Sequence, residues 1–84
     1  MYRVEPVGED VTAAIDALPH ELQPAFDELR TALEAAPRSV GAPYVPSNPA
    51  GMCTATFGVE GRGMLLYGVI DRDHVVMLVQ LTVL

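Results

Sequence analysis

Eighty-four residues suffice for one domain, 1–84, because so short a chain buries only about 60% of its unfolded surface and cannot support two cores. Half of the residues are apolar and 19% are charged, which excludes a disordered chain. Five basic residues against eleven acidic ones leave a net charge of -6, the wrong sign for a surface that tracks a phosphate backbone, so nucleic acid is not expected as a partner. One cysteine, Cys53, can form neither an internal disulfide nor a thiolate metal cage, and it fits a reducing, cytoplasmic setting. No stretch is apolar for long enough to span a membrane, and no leader-like start is present.

The first residues, Met1 to Val7, alternate and stop at Gly8, which reads as a short strand with Pro6 placing it at a sheet edge. Beyond the acidic pair Glu9 and Asp10, the residues Val11, Ile15 and Leu18 share one helical face and end near Pro19. Leu22, Phe26, Leu29, Leu33 and Ala36 then form a second apolar stripe at spacings that only a helix gathers on one side. Pro24 starts this helix or separates it from a turn over residues 20–23, and Pro37 ends it. Residues 37–51, rich in proline, glycine and serine, read as an irregular connection.

From Met52 the period changes to two. Cys53, Ala55, Phe57 and Val59 form one face of a strand that turns at Glu60-Gly61-Arg62-Gly63. Met64 to Ile70 is apolar on both faces, which predicts a central strand covered on both sides, and Asp71-Arg72-Asp73-His74 makes a second turn before a long strand from Val75 to Leu84. The expected fold is α+β: an N-terminal strand, a two-helix hairpin and a three-stranded antiparallel meander.

This layout resembles the RelE/ParE toxin superfamily, in which toxins are paired with antitoxins. Ala17-Leu18-Pro19 ahead of the Leu22/Phe26/Leu29/Leu33 helix is similar to the leucine-proline junction of those toxins. The run from Gly61 to Asp71, with Val75 to Val79 after it, is similar to their glycine-arginine-apolar-tyrosine hairpin. The resemblance implies the fold over nearly the whole chain; activity carries over only residue by residue. Ribosome-dependent members act on messenger RNA with lysines on the first hairpin strand, an arginine three residues before the hairpin tyrosine, and a C-terminal arginine with a tyrosine or histidine. Here Thr54 and Thr56 hold the strand positions, Met64 stands where the arginine is expected, and the sequence runs only to Leu84. Arg62 lies near the missing arginine but in the turn. An RNA-cleaving enzyme is therefore not the expected reading.

If the odd-numbered residues from Val75 to Leu81 join Cys53, Ala55, Phe57, Leu65, Tyr67 and Val69 in facing the helices, the opposite face shows Thr54, Thr56, Met64, Leu66, Gly68, Val76, Leu78, Gln80 and Thr82. That face is neutral and apolar with a few hydroxyls and one carboxamide, which suits a protein partner or a small apolar ligand. Tyr44, Asn48, Arg62 and Tyr67 are candidates for its rim. Cys53 reads as an inert core thiol, and His20, His74, Glu60, Asp71 and Asp73 as solvated turn residues without metal spacing, so neither metal nor cofactor is expected. Asp27, Arg30 and Glu34 are spaced for surface pairs on the second helix. The expected function is that of a RelE/ParE-like protein of toxin-antitoxin type, or a descendant, that acts by binding a protein. The partner would be a second copy in a homodimer or a cognate protein such as an antitoxin. The alternative is a small enzyme or ligand-binding module that reuses the fold and takes a small molecule on the same face.

Overall fold

A computed structural model describes residues 1–48 and 50–84. In chain order the elements are strand β1 (Arg3–Pro6), helix α1 (Gly8–Asp16), a 3-10 turn (His20–Leu22), helix α2 (Gln23–Ala35), a single helical turn α3 (Pro37–Val40), and strands β2 (Ala42–Pro43), β3 (Cys53–Phe57), β4 (Gly63–Ile70) and β5 (Val75–Val83). The strands form one mixed sheet in the order β1-β5-β4-β3-β2, with β1 parallel to β5 and the other neighbours antiparallel. The expected α+β architecture is present, and β1 lies at an edge as Pro6 requires.

The helices form where the apolar stripes place them. Val11 and Leu18 from the first stripe, then Leu22, Phe26, Leu29 and Leu33 from the second, are all buried against the sheet. Ala36 is exposed, because α2 ends at Ala35 and Pro37 starts a new turn. Pro24 sits in the first turn of α2, where its missing N–H breaks no helical bond, and the residues before it form the separate 3-10 turn. Across the core, the Phe26 and Phe57 rings meet edge to face at 5.5 Å.

Residues 37–51 carry more structure than their composition suggests. The turn α3 is held from below by the buried Tyr67 hydroxyl, which donates to the Pro37 carbonyl at 2.9 Å. The chain then crosses the sheet margin at Gly41, whose missing side chain leaves room for the Tyr67 hydroxyl and the Thr54 carbonyl, and pairs briefly as β2 with Cys53 and Thr54. Proline content announced the absence of a long element but hid these two short ones.

The largest departure from expectation is in β5. Tyr67 pairs with Leu78 and Leu66 with Gln80, so Val79 is an extra residue, a β-bulge that reverses the side-chain phase. Val76 and Leu78 therefore face the helices at 0% and 2% exposure, and Leu81 packs against the same core beyond the bulge. Val76 and Leu78 do not belong to the outer face, and Met77 and Val79 do not face the helices. The outer side of β4 is also more open than expected: Met64 and Ile70 are exposed, and Met52 comes over the strand at Gly68.

The bulge makes a measurable distinction between two leucines that sequence alone places together. Leu78→Ala should cost about 2–5 kcal/mol in a denaturant titration, as expected for a buried leucine, whereas Leu66→Ala should cost no more than about 1 kcal/mol. Equal losses would contradict the bulged register.

Candidate functional site on the outer sheet face

Period-two alternation on three neighbouring strands builds the outer face in two rungs. Thr54 on β3 pairs with Leu66 on β4, which pairs with Gln80 on β5; Thr56 pairs with Met64, which pairs with Thr82. Each rung has an apolar centre with a neutral hydrogen-bonding side chain on either flank. Tyr44 joins Thr54, Met64, Leu66, Gln80 and Thr82 around a hollow of about 200 Å3. Its backbone N–H donates to the Met52 carbonyl at 2.8 Å, which ties the loop's first limb to its last. Seven of the nine residues expected on this face thus lie on it, Gly68 among them beneath Met52, and Val76 and Leu78 do not.

The expected rim is less complete. Tyr44 occupies it. Tyr67 is fully buried and its hydroxyl serves α3, so it is a core residue. Arg62 lies at the β3–β4 turn, where its Nε donates to the Leu84 carbonyl at 3.2 Å and its Nη1 is 3.7 Å from Glu21. Asn48 is exposed and takes part in loop turns, accepting from the Gly51 N–H and donating its own N–H to Val45.

A larger hollow of about 410 Å3 adjoins the first and is lined chiefly by Val7, Met52, Gly68, Ile70, Met77 and Val79. Sequence reasoning missed it because the phase error hid Met77 and Val79. Gly68, a glycine inside an otherwise bulky strand, was the available signal that another side chain approaches there, and it is Met52 that does so.

Electrostatics separate this face from the rest of the surface. The chain has five arginines and no lysine. Four arginines lie beside carboxylates: Arg3 with Glu5 (3.1 Å), Arg38 with Asp71 (2.6 Å), Arg62 with Glu21 (3.7 Å) and Arg72 with Asp73 (3.6 Å). Arg30 lies on α2 beside Ile15 and Phe26. None of the five lies on the two rungs. Among the described residues no group of three or more His, Cys, Asp or Glu side chains is arranged to hold a metal ion, and no helix is long and apolar enough to cross a membrane.

A polar cluster at the end of the sheet holds the loop in place. Arg38 donates from Nε and Nη2 to Asp71 Oδ2 at 3.1 and 2.6 Å, and the Tyr2 hydroxyl donates to Oδ1 at 3.0 Å. The Tyr2 and His74 rings lie 5.0 Å apart. The Arg38 hydrogen bonds, then that of Tyr2, hold the Asp71 carboxyl below its ordinary range, while the hydrogen bond to Asp71 raises the Tyr2 phenol. Burial raises the Tyr67 phenol. Residue Arg38 outside and Tyr67 beneath therefore fix α3, which sets where Tyr44 meets the sheet.

Neither a protein-family model nor a curated protein matches this sequence. Solved structures do match. A double-arginine mutant of E. coli toxin RelE in complex with an antitoxin RelBc peptide superposes with a TM-score of 0.74 at 15% identity, over 99% of this chain and 83% of that one. The fold is that of RelE toxins. The archaeal RelE-RelB complex from Pyrococcus horikoshii gives a TM-score of 0.69 at 22% identity, covering 98% of this chain and 93% of that one. The free E. coli RelE mutant gives 0.71 at 16% identity, over 96% and 81%. This RelE-like fold agrees with the strand, helical-hairpin and meander order read from the sequence.

The Asp71 pairing has a definite pH sign. Its folded-state pKa lies below the unfolded value, so its stabilising contribution is complete above the unfolded carboxyl range, about pH 3.9, and is lost as pH falls through the depressed folded pKa. In a carboxyl NMR titration, Asp71 should titrate below the ordinary aspartate midpoint, and Arg38→Gln should raise that midpoint. An unchanged midpoint in the variant would show that the ion pair does not hold in solution.

Proposed function

We propose that this chain is a RelE-like protein of toxin-antitoxin type, or a descendant of one, that acts in the cytoplasm by binding a protein rather than by cutting messenger RNA. The observation that carries the reading is the composition of the outer sheet rungs, Thr54-Leu66-Gln80 and Thr56-Met64-Thr82, which hold no cation, acid or base. Cleavage of RNA requires groups that activate the 2'-hydroxyl and stabilise charge developing on the phosphorus oxygens. Threonine, methionine, leucine and glutamine offer neither. A surface with an apolar centre, neutral polar flanks and two adjoining hollows suits the depleted charge of a protein interface core.

The likeness to RelE bound to antitoxin peptide and to the archaeal RelE-RelB complex supports a cognate antitoxin as the partner class. The same face would also accept a second copy in a homodimer. A second reading is favoured by the hollow of about 410 Å3 beside Met52 and Met77: a ligand-binding module that takes a small apolar molecule there.

A purified translation system programmed with a defined message tests the main reading. The protein should leave the message intact on the ribosome at concentrations that saturate the reaction. Codon-specific cuts, abolished by Thr54→Ala or Gln80→Ala, would contradict it.

A further inference from the structure

Strand β5 outruns its neighbour. Its parallel pairing with β1 ends at Pro6 opposite Leu78, where the Val7 N–H donates to the Leu78 carbonyl at 2.9 Å, yet β5 continues to Val83. On the other side, the Leu84 N–H donates to the Arg62 carbonyl at 2.8 Å, extending the ladder with the β4 chain. Backbone groups alternate along a strand, so Gln80 and Thr82 turn theirs toward β4, and Leu81 and Val83 turn an N–H and a C=O each toward the open side. No strand pairs with that side beyond Leu78 among the described residues.

Such an edge ordinarily carries lysine, proline or an inward charge as protection against pairing. From Val75 to Leu84 there is no charged residue and no proline. The bulge at Val79 guards only the start of the segment. Alongside the edge runs a groove of about 370 Å3, lined by Asp10, Val11 and Ala14 on α1 and by Val79, Gln80 and Leu81 on β5. Its α1 wall supplies one accessible small apolar contact, Ala14, and the carboxylate of Asp10, with Glu9 next to it in sequence.

We propose that the edge of β5 from Val79 to Val83 is a strand-addition site for an extended, alternately apolar segment of a partner protein that carries lysine or arginine. The inference rests on the protein-binding reading above and assigns it a second contact surface and a partner chemistry. Main-chain pairing to Leu81 and Val83 supplies register, the half-buried Ala14 receives an apolar side chain, and the exposed Asp10 selects a cation. A second copy is the poorer occupant. Two β5 edges paired antiparallel would bring the acidic first turns of both α1 helices to one seam, in chains that each carry a net charge of -6.

The test uses the full chain, isotope-labelled, titrated with a blocked nonapeptide alternating valine and lysine, and with its valine-glutamate counterpart. The lysine peptide should slow exchange of the Leu81 and Val83 amides by about tenfold or more, without altering those of Gln80 and Thr82, which β4 already protects. The glutamate peptide should not do so. Asp10→Asn should weaken the lysine peptide by about threefold. Val83→Pro removes an edge N–H without touching the β4 ladder and should abolish binding. A lysine peptide N-methylated on alternate residues should fail in the same way, so the result does not depend on how well the proline variant folds. No protection of Leu81 and Val83 at millimolar peptide would overturn the proposal. So would binding that survives both Val83→Pro and N-methylation and instead shifts Leu66 and Thr82, although it would leave the protein-binding face intact. A dimer of the chain alone that Val83→Pro dissociates would replace the partner with a second copy and overturn it as well. Message cleavage would remove the functional reading without bearing on the edge.

Discussion

A single extra residue in β5, Val79, decides which side chains this protein buries and which it shows. Before the bulge, Val76 and Leu78 point into the core; after it, Leu81 does so and Gln80 and Thr82 point outward. An unbulged strand with Val76 and Leu78 inside would put Gln80 and Thr82 there too, burying a carboxamide and a hydroxyl in an apolar core. Such burial without partners costs about 1–3 kcal/mol per group by mutational measures. The opposite phase would leave Leu78 and Val76 on the surface and lose their burial. The bulge avoids both costs, and in the described structure no buried side-chain nitrogen or oxygen lacks a hydrogen bond. The β1 pairing ends beside it, at Leu78, as the chain turns through Gly8 into α1, so the outer face and the open edge meet there.

That dependence explains what could be read from the sequence. The helices were legible because Leu22, Phe26, Leu29 and Leu33 alternate with charged residues, so one phase is far better than any other. Strands β3 and β4 were legible for a similar reason on one face, where Cys53, Ala55 and Phe57 oppose Thr54 and Thr56. The run Val75 to Val79 is apolar at every position and therefore carries no phase of its own. One phase carried along the whole strand places Gln80 and Thr82 correctly and Val76 and Leu78 on the wrong side. Tyr67 shows a different limit: its position in a central strand was evident, but its hydroxyl partner, the Pro37 carbonyl, is thirty residues away in a segment whose prolines suggested no regular structure. Parallel pairing of β1 with β5 is likewise a long-range choice that a local pattern does not encode.

The RelE fold and the outer-face chemistry answer different questions. The fold is shared with toxins at 15–22% identity, a level at which topology persists while sites change. Arg38 and Arg62 are engaged in tying the loop and the β3–β4 turn, and seven of the eleven acids lie between Glu9 and Glu34, in the helical layer. Among the described residues this leaves an acidic helical side and an outer sheet face whose two rungs carry no charged side chain.

The central claim is therefore that the sheet face does not bind a phosphate chain, and the salt dependence of RNA affinity tests it most directly. A single-stranded RNA titrated at several salt concentrations should bind weakly, with a log-log slope near zero, because few counterions can be released. Tight binding that weakens steeply with salt, and that is lost when Gln80 or Thr82 is replaced by glutamate, would contradict the account.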